Sequence, residues 1–171
     1  MKQYEIGIDL GTSSIIIATR EQGVIFHQPS VGAVDTRSNT VLAVGEQALR
    51  MVGRAPSYID IVRPLRDGVI QDHRMTNELI VRFINQVCPN RLIRPRVAVC
   101  VPAAITGVEA DAVVESVMSA GAKQVFLVDE PVAAALGAGL DIRTPKGCMV
   151  IDIGGGSTDI AVISMGGRVR A

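Results

Sequence analysis

The sequence predicts an α/β domain built on a mixed sheet with flanking helices. Three observations point there. The first 30 residues read as three short strands joined by tight turns. From residue 75 onward, helical apolar spacing alternates with short apolar runs. The opening pattern of strand, Gly-rich turn and strand then returns at residues 148–163. The first pattern gives antiparallel strands and the second gives parallel ones, so together they make a mixed sheet.

Tyr4–Leu10 alternates into an apolar strand, Gly11-Thr12-Ser13-Ser14 is a turn, and Ile15-Ile16-Ile17 is a β-branched run. Glu21-Gln22-Gly23 turns the chain back into Val24-Ile25-Phe26. Residues 29–72 are less regular and read as a small inserted subdomain. Within them Val31–Val34 and Val41–Val44 flank the loop Asp35-Thr36-Arg37-Ser38-Asn39, and Ala48–Val52 fits a short helix ended by Gly53. Leu79, Ile80, Phe83, Ile84 and Val87 share one helical face, and Cys88-Pro89-Asn90 stops that helix. Arg96–Val101, closed by Pro102, reads as a strand covered on both faces. Thr106-Gly107-Val108-Glu109 has capping-box spacing, followed by an apolar stripe of Ala110, Val113, Val114, Val117 and Met118 and a stop at Gly121. Gln124–Val128 is a strand and Pro131–Leu140 a helix of small residues. A meander followed by alternating strand and helix units resembles the ribonuclease H arrangement.

Composition removes several function classes. The chain has 171 residues, 48% apolar and 20% charged, which is globular rather than disordered. Seventeen basic residues balance 17 acidic ones, which argues against a nucleic-acid binder, and 3% aromatic content without Trp argues against base stacking. No apolar run approaches the roughly 18 residues of a spanning helix. Glu5 and Asp9 come too early for a signal peptide. Cys88, Cys100 and Cys148 are far apart and read as buried thiols of a reducing compartment, and the two histidines, His27 and His73, offer no zinc spacing.

The repeated hairpin carries the chemistry. Ile6-Gly7-Ile8-Asp9-Leu10-Gly11-Thr12-Ser13 and Val150-Ile151-Asp152-Ile153-Gly154-Gly155-Gly156-Ser157 are each an apolar strand bearing an Asp, then Gly, then hydroxyl residues. Such a turn presents backbone N–H groups and short donors to an anion, and Gly lets phosphate approach closely. The Asp repels phosphate but suits a hydrated Mg²⁺ that phosphates also bind. Two facing hairpins would clamp a polyphosphate; each alone is equally an ordinary tight turn. Asp129-Glu130-Pro131 starts a helix between them. A carboxylate there can activate water beside a γ-phosphate, or be a first-turn acid favoured by the helix dipole.

Ile6–Thr12, Asp129-Glu130-Pro131-Val132-Ala133-Ala134-Ala135 and Asp152–Thr158 resemble the phosphate-1, connect-1 and phosphate-2 motifs of the actin/Hsp70/sugar-kinase superfamily. Arg63–Ile70, Pro29-Ser30-Val31, Arg94–Val97 and Ala161–Ser164 narrow the resemblance to MreB-like bacterial actins, over nearly the whole chain. The resemblance implies a ribonuclease H-like, actin-type ATPase lobe at 1–147, with the inserted subdomain at about 29–72, and the first hairpin of a second such lobe at 148–171. It implies ATP and Mg²⁺ as cofactors. Gly11, Thr12 and Ser13 would form the first phosphate loop, and Gly154, Gly155, Gly156, Ser157 and Thr158 the second. Asp9 and Asp152 would lie near the metal, and Glu130 and Ser157 would place the attacking water. The family has Thr-Thr-Glu where this chain has Ser157-Thr158-Asp159, and commonly Glu where it has Gln28.

By the same resemblance the protein is expected to be cytoplasmic and peripheral to the inner membrane. It would self-associate into filaments that determine cell shape, working with the cell-wall elongation machinery and without nucleic acid. Because the family's second lobe and adenosine motif do not follow, the chain is expected to be an N-terminal portion whose own ATPase activity stays open. Residues 148–163 would then be an apolar hairpin in need of cover. An Hsp70-like chaperone or reactivase ATPase module is the alternative, and a non-catalytic remnant a third; Arg63–Ile70 favours the first reading. In Asn90–Arg94, Leu92 and Ile93 either fold back on the domain or form the hydrophobic loop with which such proteins touch the membrane, flanked by Arg91, Arg94 and Arg96.

Overall fold

A computed structural model describes residues 5–89 and 94–170. Strands β1 (Glu5–Leu10), β2 (Ser14–Thr19) and β3 (Gly23–Pro29) form the expected antiparallel meander, with Ile8 opposite Ile17. The inserted segment resolves into β4 (Gly32–Asp35), β5 (Thr40–Val44), the single-turn helix α1 (Glu46–Leu49) and β6 (Ile59–Val62), a three-stranded sheet in the order β5-β4-β6. A minimal hairpin follows, β7 (Leu65–Arg66) and β8 (Val69–Ile70), whose turn residues Asp67 and Gly68 both have positive φ, 52° and 76°. Then come α2 (His73–Val87), β9 (Arg96–Val101), α3 (Gly107–Ser119), β10 (Gln124–Asp129) and α4 (Glu130–Gly137). A separate three-stranded sheet closes the chain: β11 (Cys148–Ile153), β12 (Thr158–Ser164) and β13 (Gly167–Arg170).

The main sheet runs β10-β9-β1-β2-β3, with β10, β9 and β1 parallel. Ile6, Ile8, Leu10, Ile15, Ile17, Val97, Val99 and Val101 form one continuous buried face under α2 and α3. Leu79, Ile80, Phe83 and Ile84 of α2 pack on it, and the Phe26 and Phe83 rings meet at 4.7 Å. Each such fully buried aliphatic contributes roughly 1.5–3 kcal/mol. The second sheet rests on α4 and the segment after it through Ala135, Ile142 and Ile163, while Met149, Ile151, Ile153, Ile160 and Val162 on its other face are exposed.

Three expectations are corrected. β9 is buried on one face only: α2 and α3 lie on the same side, leaving Ala98 and Cys100 partly exposed on the other. The core stripe of α3 is Val113, Ser116, Val117 and Ala120, with Met118 turned outward at 38% exposure. The small-residue helix starts at Glu130 and ends at Gly137, because Gly139 takes φ 75° and reverses the chain. Arg94 is also occupied within the fold: its guanidinium donates to the Gly121 and Ala122 carbonyls, satisfying backbone groups just beyond α3. Among the described residues no helix is long and apolar enough to cross a membrane.

The capping box forms as read. The Glu109 amide donates to Thr106 Oγ1 at 3.3 Å, and Glu109 Oε2 accepts from the Thr106 amide at 2.9 Å. Thr106→Ala should therefore lower unfolding free energy by about 1 kcal/mol, with Thr106→Ser near wild type, as read by denaturant titration.

Candidate functional site

The two hairpin turns are built alike. Gly11 donates its amide to the Ser14 carbonyl at 3.1 Å, and Gly154 donates to Ser157 at 2.9 Å. A Cβ on Gly11 would lie 2.8 Å from the Ser14 oxygen, so the first turn cannot close around a larger residue. The two turns then press on each other. A Cβ on Gly156 would stand 2.7 Å from Thr12 Cγ2 and 2.9 Å from Thr12 Cβ, and one on Gly155 2.6 Å from Ser13 Cβ.

Around this contact opens a cleft of about 320 Å³, within the range of small-ligand sites. Asp9, Gly11, Thr12 and Ser13 line it from the first hairpin, Asp152, Gly154, Gly155, Gly156 and Ser157 from the second, and Glu130, Ala133 and Ala134 from α4. Thr158 begins β12, is exposed and does not line the cleft. Leu92 and Ile93 lie outside the described residues.

Two residues that position the first turn, and one that lines the cleft, escaped sequence reasoning. Ser30 is fully buried; its hydroxyl donates to the Gly11 carbonyl at 2.6 Å and its amide to the Ser13 carbonyl at 3.0 Å. Gly68, in the β7–β8 turn, donates its amide to Thr12 Oγ1 at 3.0 Å. Cys100, read only as a buried thiol, lines the cleft. The departure at Gln28 has a structural role: its Oε1 accepts the Glu46 amide at 2.9 Å and caps α1 from the neighbouring β3, since Gly45 has no side chain to do so.

The cleft is strongly acidic. Burial raises the Asp9 carboxyl above its ordinary value, Asp152 raises it further, and His27 opposes them. Burial pushes Glu130 up to about 7, helped by Asp9, Asp159 and Asp152. The Cys100 thiol is pushed up to about 11 by burial and by the carboxylates of Asp9, Glu130 and Asp152. An acid at the first turn of a helix ordinarily drops, so the environment of Glu130 is not that of a solvated helix start. No Lys or Arg lines the cleft. An anion entering it meets backbone N–H groups and hydroxyls, and needs a cation to offset the carboxylates. Asp9 and Asp152 are hard oxygen donors lining the same cleft, and they fit Mg²⁺ held mainly through water and phosphate oxygens. Among the described residues no cluster of three or more side chains could hold a metal by itself.

The family model described as MreB/Mbl protein matches residues 3–171. The chain belongs to the MreB/Mbl family. Within it, the cell shape-determining protein Mbl of Bacillus subtilis is 50% identical over 168 residues, covering 98% of this chain and 50% of that protein. MreB5 of Spiroplasma citri bound to ADP superposes with a TM-score of 0.89 at 35% identity, covering 98% of this chain and 50% of its own. The same protein bound to AMPPNP gives 0.89 at 35% identity, covering 99% and 51%. The MreB/Mbl chain described here thus has the actin-type lobe that its three motifs implied, and it spans about half the length of the curated relatives it matches.

Two outcomes follow from the geometry. Gly156→Ala must push Thr12 away, so it should cost roughly 1–3 kcal/mol by overpacking and weaken binding of Mg-triphosphate by at least about tenfold in calorimetry. Gly7→Ala, where a Cβ meets nothing within 4 Å, is the control and should leave binding unchanged. The second concerns pH without metal. Glu130 holds its proton more tightly folded, at about 7, than at its ordinary 4.5, so its contribution to stability is full below 4.5 and is lost as pH rises through 7. Glu130 is only partly buried, so the effect is smaller than the full shift implies. Denaturant midpoints should fall across that window in the wild type and fall less in Glu130→Gln.

Proposed function

We propose that the cleft binds the phosphates of Mg-ATP between the two turns and that Glu130 directs the water that hydrolyses it. The observation that carries this reading is the direct contact of the turns, Gly155 and Gly156 on Ser13 and Thr12, with a carboxylate of raised proton affinity on the adjoining wall. The relatives bound to ADP and AMPPNP support the nucleotide, and the MreB/Mbl match favours the cytoskeletal reading over a chaperone module.

The phosphates would take the amides and hydroxyls of Thr12, Ser13, Gly155, Gly156 and Ser157, since the Gly11 and Gly154 amides close their own turns. Asp9 and Asp152 would hold Mg²⁺, which would supply positive charge that offsets the phosphates. Ser157 orients the attacking water through its hydroxyl. Glu130 takes the proton as water oxygen bonds to the γ-phosphorus and the bond to the β–γ bridging oxygen breaks, giving ADP and phosphate. A carboxylate near 7 is matched to that task at neutral pH. Residues 1–147 constitute the first lobe and 148–171 begin a second. The whole protein forms cytoplasmic filaments that determine cell shape by guiding peptidoglycan synthesis with the elongation machinery. Leu92 and Ile93 attach it to the inner membrane.

The test is Glu130→Gln in the chain joined to a second MreB/Mbl lobe. Turnover should fall by about 10²–10⁴-fold while nucleotide affinity changes by less than about threefold, because the group acts in the transition state. Equal losses in binding and turnover would assign Glu130 to the helix start alone.

A further inference from the structure

Strand β13 takes no part in the cleft, yet its Arg168 reaches across to the first lobe. Arg168 Nε lies 3.3 Å from Asp129 Oδ2, and Arg168 Nη1 donates to the Ala103 carbonyl. The Ala103 amide in turn donates to Asp159 Oδ1 on β12 at 3.3 Å. Both backbone polar groups of one residue in the β9–α3 loop are therefore held by side chains of the second sheet. Asp129 occupies the N-cap position of α4 but makes no side-chain cap bond; its carboxylate is turned to Arg168 instead. The same loop is braced from the other side, since a Cβ on Gly68 would lie 2.7 Å from Pro102 Cγ. Thr12, Gly68, Pro102, Ala103 and Arg168 thus run from the first turn to the second sheet.

We propose that Arg168 is a positioning residue, a latch that pins the β10–α4 junction and the β9–α3 loop to the second sheet and so fixes Glu130 against the Gly-rich turn. The proposal rests on the ATPase reading for its consequence, but the latch itself does not. Asp129 immediately precedes Glu130, so the ion pair sets the direction from which α4 enters the cleft. Asp159 and Arg168, from adjacent strands, hold Ala103 at two points, which resists rotation of one sheet past the other. Both partners of the ion pair are about a third exposed, so the latch adjusts without unfolding the core.

The experiment compares Arg168→Gln, Asp129→Asn, their double variant and Arg168→Lys in the whole chain. Without nucleotide, hydrogen exchange of the segment holding Ala103 should accelerate by roughly tenfold in Arg168→Gln. Exchange in β1 and β2 should not change. The double variant should be no worse than the poorer single one, and Arg168→Lys should recover part of the protection. With Mg-ATP, and with each variant joined to a second MreB/Mbl lobe, kcat should fall by about tenfold with KM within about threefold. Unchanged exchange at Ala103 in Arg168→Gln, or strictly additive effects in the double variant, would overturn the latch whatever the activity. Faster exchange with kcat unchanged would overturn its positioning role. A wild type that binds no Mg-ATP would overturn the ATPase reading and leave the exchange result to decide the latch.

Discussion

Two glycines of one turn pressed onto two hydroxyl residues of the other hold this architecture to its geometry. Gly155 and Gly156 meet Ser13 and Thr12 closely enough that a single Cβ on Gly156 would fall 2.7 Å from Thr12 Cγ2. That contact joins the β1–β2 turn of the β10-β9-β1-β2-β3 sheet to the β11–β12 turn of the β11-β12-β13 sheet. It also dictates what can lie between them. The connecting helix α4 fits because its cleft-facing positions are Ala133 and Ala134, and its inner position is Ala135 at full burial. Larger residues there would pry the turns apart.

The electrostatics follow from the same closeness. Asp9, Asp152 and Glu130 converge because each hairpin brings an acid on its first strand and α4 begins at the seam. With no basic side chain among the lining residues, the cleft carries uncompensated negative charge, and the raised affinity of Asp9 and Glu130 for protons is the sign of it. Such an arrangement costs stability in the empty protein and favours whatever brings positive charge in. Positive charge is provided elsewhere, at Arg168, where it pairs with Asp129 outside the cleft and ties the sheets together without neutralising the acids of the cleft.

Periodicity made most of this legible. The apolar run Arg96–Val101, the capping box at Thr106 and Glu109 and the repeated Asp-Gly-hydroxyl pattern are local signals, and each became the element or turn it indicated. What escaped was non-local. Ser30 bonds Gly11 across 19 residues, Gln28 caps α1 across 18, and Gly68 reaches Thr12 across 56. No spacing rule marks such pairs, and the inserted segment that carries two of them shows only weak alternation. The over-reading of β9 as covered on both faces has a related cause: an apolar run reports that neighbours exist, not where the helices are. Ala98 and Cys100 are small and tolerate exposure, and at Cys100 the open face became the wall of the cleft.

That the two turns act as one clamp is tested most directly by following the backbone amides of Gly11–Ser14 and Gly154–Ser157 by NMR as Mg-triphosphate is added to the chain. The two sets should move together along a single binding curve, because one polyphosphate touches both. Shifts confined to one turn, or two curves with different midpoints, would contradict it.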